Sequence, residues 1–333
     1  MGTDDMLKTL ILSAKDVKGL LRMGEVMSAV EDAFRAYGEG KLWMPPKAYL
    51  KAGEGDFRAM PACMAGAASI KWVNFHPNNR RRGLPTVMGI LIYSDSETGY
   101  PLAVMDATEI TAYRTGATAA IASKYLARKA SRTLGLVGAG RQAYSQLLAH
   151  AEIFKLELIR IYDIRPEASQ RFAEFFPHRR VEVCPLEETA SSDIVCTMTP
   201  AREPLIKREW IRNGTHINAI GADAEGKEEL DPTILRDAVV VVDDLRQASA
   251  GGEINVPVRK GMFKLEQVYA TLAQVVLGEK HGRKSDDEVT VFDSTGIAIE
   301  DLATAKLVYE KAQQEGRGLA IELVEMGDAT TAA

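Results

Sequence analysis

The sequence predicts an α/β protein with two domains. Residues 129–298 form a doubly wound (Rossmann) parallel sheet, and 1–128 with 299–333 form an α+β domain. Three observations predict this. Thr133-Leu-Gly-Leu-Val-Gly-Ala-Gly-Arg-Gln-Ala143 reads as an apolar strand, a Gly-x-Gly-x-x-Ala turn and a helix start. After Lys129, short apolar runs alternate with helical stretches. The 333-residue length makes two domains the natural expectation.

Taken in order, residues 14–21 and 23–37 show helical apolar spacing. Strand-like runs follow at 48–50, 68–75, 86–93 and 101–105, the third ending in the turn cluster Asp95-Ser-Glu-Thr-Gly99. A long helix from Thr108 to about Ala127 leads into the second domain. There, strands are expected at 133–137, 158–162, 181–183, 193–197, 216–220, 239–243 and 289–292. Helices are expected near 141–153, 166–175, 231–236, 264–278 and 297–313. The last of these is expected to pack back on the N-terminal domain. The tail after about Leu323 is expected to fray.

The turn suits a dinucleotide. Gly138 permits the tight bend, Gly140 lets backbone amides approach a pyrophosphate, and Ala143 lets the helix lie close to the sheet. Arg141 and Gln142 open that helix, whose N-terminal amides and dipole favour phosphate. Asp163 stands 20 residues past Ala143, at a strand end, where a carboxylate accepts from ribose hydroxyls and repels a 2′-phosphate. NAD is therefore expected over NADP. Arg165 pulls the other way, because an arginine receives a 2′-phosphate. Further cofactor contacts are expected from residues at or near the carboxyl ends of later strands: Thr197, Thr199, Gly221 and Ser294.

The chain is 46% hydrophobic and 26% charged with net charge -5, so no nucleic-acid footprint is expected. Arg80-Arg-Arg82 reads as a solvated loop. Three scattered cysteines, with no Cys-x-x-Cys, argue against a disulfide framework or a zinc site and fit a reducing cytoplasm. None of the five histidines has metal-ligand spacing, so no metal is expected. No leader or membrane span is expected either.

Four residues carry candidate chemistry. Lys71 shares a strand face with Val73 and Phe75, and burial there would suit it to polarise a carbonyl; a snorkelling lysine at a sheet edge is the other reading. Arg58 and Arg114 sit among apolar neighbours and are forks for a small carboxylate, or else structural ion pairs. Asp223 follows a strand at the sheet's carboxyl edge, as an acid/base or a turn cap. Ser294 or Thr295 can cap the helix that follows them.

Arg58-Ala-Met-Pro, Lys71-Trp-Val-Asn, Arg114-Thr-Gly-Ala, Gly138-Ala-Gly-Arg-Gln-Ala, Asn218-Ala-Ile-Gly-Ala-Asp223 and Phe292-Asp-Ser-Thr-Gly together resemble the ornithine cyclodeaminase/μ-crystallin family, from about residue 8 to 315. Within it the chain looks most like archaeal-type alanine dehydrogenases. The resemblance implies a homodimer formed through the N-terminal domain, with NAD(H) between domains. It implies that Arg58 and Arg114 grip an amino-acid carboxylate, that Lys71 bonds the carboxylate or the developing carbonyl, and that Asp223 is the acid/base. It places Thr115 and Gly116 beside the phosphates. The implied reaction is reversible oxidative deamination of a small L-amino acid, L-alanine above others. Ornithine cyclodeamination, imine reduction and a μ-crystallin-like carrier are the alternatives. Met60, Trp72, Val73 and Met88 are expected to shape an apolar space near Lys71.

Overall fold

A computed structural model describes residues 8–325. The tail expected to fray lies largely beyond this range, and so do the first seven residues of the segment read for a leader.

The first sheet holds β1 (Thr9–Leu12), β2 (Leu42–Trp43), β3 (Ala48–Ala52), β4 (Gly55–Met64), β5 (Ala67–Phe75), β6 (Val87–Ser94) and β7 (Pro101–Asp106), closed by β16 (Leu319–Ile321). Its order is β16-β1-β7-β6-β5-β4-β2, with β3 on β4. The second sheet holds β8 (Thr133–Val137), β9 (Leu158–Tyr162), β10 (Val181–Val183), β11 (Ile194–Thr197), β12 (His216–Ala219), β13 (Val239–Val242), β14 (Ala270–Thr271) and β15 (Thr290–Asp293). Its order is β10-β9-β8-β11-β12-β15-β13-β14, and every pairing is parallel. The order reverses between β8 and β11, which is the switch point of a doubly wound sheet. The helices are α1 (Ala14–Leu20), α2 (Met23–Gly38), α3 (Thr108–Leu126), α4 (Arg141–Ile153), α5 (Pro166–Phe175), α6 (Leu186–Ala190), α7 (Pro232–Asp237), α8 (Leu245–Gly251), α9 (Asn255–Arg259), α10 (Leu272–Val276) and α11 (Ala298–Glu315).

The parallel sheet is apolar on both faces because helices cover both. Leu134, Leu136, Ile159, Ile161 and Phe172 fill one core, and Val195, Ile217, Val242 and Val291 fill the other. The helix expected near 264–278 is instead a short 3-10 turn, β14 and α10. Thr271 starts α10 with a capping box to Gln274, while Tyr269 N–H has already joined Val240 O beside β13.

The chain divides into two compact units. One comprises Met1–Leu21, Trp43–Thr111 and Asp301–Ala333; the other comprises Arg22–Leu42 and Ala112–Glu300. This differs from the expected scheme, in which 1–128 and 299–333 surround 129–298. Helix α2 joins the second unit because it packs on α10 and α4, and Glu31 accepts from Lys124 Nζ (2.8 Å) and Tyr125 Oη (2.5 Å) on α3. Most of α11, from Asp301 on, belongs to the first unit. No helix of the described residues is long and apolar enough to cross a membrane.

Candidate active site

In the second unit, the glycine turn joins β8 to α4. Gly138 has φ +101°, a conformation that favours glycine, and its N–H donates to Tyr162 O at 2.7 Å. Ala143 is fully buried against the sheet. Gly140 is the N-cap of α4 without a side-chain cap, and a Cβ built there meets nothing within 4 Å. The start of the helix is thus uncrowded at Gly140, which leaves room for a pyrophosphate to approach. Arg141 is exposed there, while Gln142 Oε1 accepts from Ser145 Oγ on the same helix.

Asp163 closes this half. Its Oδ2 accepts Ala139 N–H (2.9 Å), and its Oδ1 accepts from Arg165 N–H (2.9 Å) and Nε (3.3 Å). Burial pushes its carboxyl up, but the Arg165 and Ala139 amides and the Arg165 guanidinium together hold it below the usual range. Arg165 is therefore engaged with the acid that repels a 2′-phosphate.

Thr197, Thr199 and Gly221, at or just beyond the ends of β11 and β12, gather around Glu229. Thr197 is fully buried, so its hydroxyl faces this carboxylate and not a ligand. Ser294 is buried too, its N–H donating to Ala219 O. At the start of α11, Thr295 Oγ1 donates to Asp243 (3.0 Å), and Ile297 N–H is met by Glu300 Oε1 (3.2 Å). Thr115 is buried, with its carbonyl accepting from Gln146 Nε2. Gly116 is spent on a close approach to the Ser145 backbone on α4, where a Cβ would collide.

Arg114 Nη1 donates to Glu300 Oε2 at 2.7 Å, and both side chains are buried. Gly296, at φ +71°, lies so close beneath the guanidinium that a Cβ would collide with it. Asp223 pairs with Lys227 Nζ at 2.5 Å on Oδ1.

In the first unit, the antiparallel register sets Met60 opposite Lys71 and Arg58 opposite Val73, so all four share one buried face. Lys71 lies on an internal strand and is fully buried, which rules out the snorkelling edge reading. Its Nζ donates to Asp301 Oδ1 (2.8 Å) and Thr111 Oγ1 (3.3 Å). Arg58 grips Asp56 through Nε (2.7 Å) and Nη2 (3.2 Å) and lies over the Tyr49 ring. Met60 and Val73 flank Lys71 as expected. Trp72 and Met88 do not: alternation turns Trp72 to the opposite face, stacked on Phe57, and Met88 pairs with Asn74.

The sequence reading missed the acids Asp56, Glu300 and Asp301, the Lys227 partner and the Glu229 hub. Only the Asp223–Lys227 spacing of four and the Asp56–Arg58 spacing of two left a local trace.

A parallel sheet reversing beside an uncapped glycine turn with an acid on the next strand defines a dinucleotide-binding protein. The sequence profile of the ornithine cyclodeaminase/mu-crystallin family matches residues 7–316, and the chain belongs to that family. It is 52% identical over 318 residues to the alanine dehydrogenase of Archaeoglobus fulgidus, covering 95% of this chain and 99% of the relative. It is 33% identical over 324 residues to a Delta(1)-pyrroline-2-carboxylate reductase of Bacillus cereus, covering 94% and 99%. A solved archaeal alanine dehydrogenase dimer with bound NAD superposes with a TM-score of 0.93 at 51% identity, covering 95% of this chain and all of that one.

Proposed function

We propose that the chain is an NAD-dependent amino-acid dehydrogenase that converts L-alanine reversibly to pyruvate and ammonia. The observation that carries this is the 52% identity to an alanine dehydrogenase across 95% of the chain. The open amide end of α4 and the ionised Asp163 fit NAD. When bound, NAD accepts the hydrogen and electron pair leaving the substrate Cα.

The chain's own residues supply the rest. Arg58 and Arg114 take the substrate carboxylate, with Asp56 and Glu300 orienting their guanidinium planes. Lys71 Nζ, held by Asp301 and Thr111, donates to the carboxylate or the carbonyl oxygen. Asp223 takes the proton from the water that attacks the imine carbon, and returns it to the departing nitrogen. Lys227 fixes which Asp223 oxygen is presented.

The test is to incubate the protein with NAD and a panel of L-amino acids while following NADH and products. NADH and pyruvate from alanine support the reading. Proline and ammonia from ornithine, with no net NADH, would replace it with cyclodeamination. Silence with every substrate, alongside tight cofactor binding, would favour a carrier. The pyrroline-carboxylate reductase relative favours a second reading, reduction of a cyclic imine, which the reverse assay separates.

A homodimer is also proposed. Ile70, Trp72 and Ile90 form an exposed apolar patch on the face opposite Lys71. Trp72→Glu is expected to shift sedimentation towards monomer. The free thiols Cys63, Cys184 and Cys196 fit a cytoplasmic setting.

A further inference from the structure

Glu229 lies between β12 and α7 and is fully buried. No lysine, arginine or histidine among the described residues pairs with it; four hydrogen bonds hold it instead. Oε1 accepts from Thr199 N–H and Thr199 Oγ1, each at 2.7 Å. Oε2 accepts from Thr197 Oγ1 at 2.7 Å and from Gly221 N–H at 2.9 Å. A Cβ on Gly221 would stand 2.5 Å from Oε2, so the carboxylate leaves no room for another residue there. Glu229 is itself held: its own N–H and that of Leu230 donate to Glu253 Oε1 at 2.8 and 2.7 Å. The amides of Glu253 and Ile254 in turn donate to Asp293, at the end of β15. Carboxylates thus tie the carboxyl ends of three neighbouring strands, β11, β12 and β15.

A doubly wound sheet binds the two halves of a dinucleotide on either side of its reversal. Here the Gly138 turn and Asp163 belong to the β8–β9 side, whereas every Glu229 bond lies on the β11–β12 side. We propose that Glu229 is a positioning residue for the nicotinamide half of the cofactor, setting the backbone at 197–199 and 221 without touching the ligand. This rests on the NAD reading above. The two hydroxyls can reverse their bonds, but the amides of Thr199 and Gly221 cannot, and they sit on different oxygens. Glutamine therefore turns an NH₂ group onto one of them in either orientation.

Calorimetric titration with NADH and with ADP-ribose, which lacks nicotinamide, tests this. Glu229→Gln is expected to weaken NADH at least about tenfold and to change ADP-ribose less than about twofold. Unchanged NADH affinity, or equal loss of both ligands, overturns the proposal. Should that variant fail to fold, Thr197→Val removes one donor at constant volume from a site no ligand reaches. It is expected to weaken NADH alone by about threefold, with Thr197→Ser restoring wild-type affinity. No change in Thr197→Val also overturns the proposal. Wild-type protein that binds neither ligand removes the NAD reading itself, and the inference with it.

Discussion

Lys71 in the first unit and Glu229 in the second are both fully buried ionisable groups, yet they are held in opposite ways. Lys71 bonds the Asp301 carboxylate and the Thr111 hydroxyl. Glu229 faces two hydroxyls and two backbone amides, with no cation. An ammonium on a flexible stem can shift between Asp301 and an incoming oxygen with little rearrangement. A carboxylate caged by strand-end amides cannot move without moving the strands. The paired cations Arg58, Lys71 and Arg114 are thus suited to act on a ligand, whereas Glu229 is suited to hold the strand ends. Arg114 belongs to the second unit but follows the first unit's pattern, through Glu300.

Breaking the Lys71 pair has the largest expected effect. Lys71→Met should lower turnover by about 10²–10⁴-fold and strand Asp301, destabilising the fold by about 3–5 kcal/mol. Adding Asp301→Asn should recover the melting temperature but not the turnover. Full activity in the single variant would reduce Lys71 to a structural role. Asp223→Asn should also cost about 10²–10⁴-fold in turnover while leaving NADH binding near normal. A parallel loss of NADH affinity would show that Asp223 serves the cofactor.

The next prediction concerns burial without charge. His150 and His216 are buried in a chain of hydrogen bonds through Ser123, Asn218 and Thr290. Burial holds His150 down to about 4 and His216 down to about 3. Below pH 6.5 the unfolded chain binds more protons than the folded one, so this contribution is full above pH 6.5 and is lost as pH falls towards those values. Burial and the neighbouring Glu229 charge push Glu253 well up, and burial raises Glu229 despite its donors. Those acids slope the opposite way, contributing at low pH and losing it as pH rises through their raised values. The difference between wild type and His150→Gln isolates the histidine. Urea unfolding between pH 4.5 and 6.5 should show a slope smaller in the variant by up to about 1.4 kcal/mol per pH unit. Identical slopes would contradict a buried neutral imidazole.

The smallest effect is expected at Asp163. Asp163→Ser should raise the kcat/KM ratio of NADP to NAD about tenfold, roughly 1.4 kcal/mol, by removing the repelling charge and releasing Arg165. An unchanged ratio would mean that cofactor choice lies elsewhere.

The parallel sheet was legible because its signals are local: apolar strand, glycine turn, helix, acid. Asp163 bonds the Ala139 amide next to Gly138, as the spacing implied. Strand β4 was not read as a strand, since Pro61 interrupts it with a residue that lacks an N–H. The partners of Lys71 and Arg114 were not legible at all. Asp301 lies 230 residues from Lys71 and Glu300 lies 186 from Arg114, so only tertiary folding brings them together. Thr197 and Gly221 bond Glu229, an acid whose burial no local pattern in the sequence announces.

The reverse reaction separates alanine dehydrogenation from reduction of a cyclic imine. NADH oxidation is followed with pyruvate plus ammonium, and separately with Delta(1)-pyrroline-2-carboxylate. A higher kcat/KM is expected with pyruvate and ammonium, with L-alanine as the product. Rapid reduction of the cyclic imine, with pyruvate inert, would contradict it.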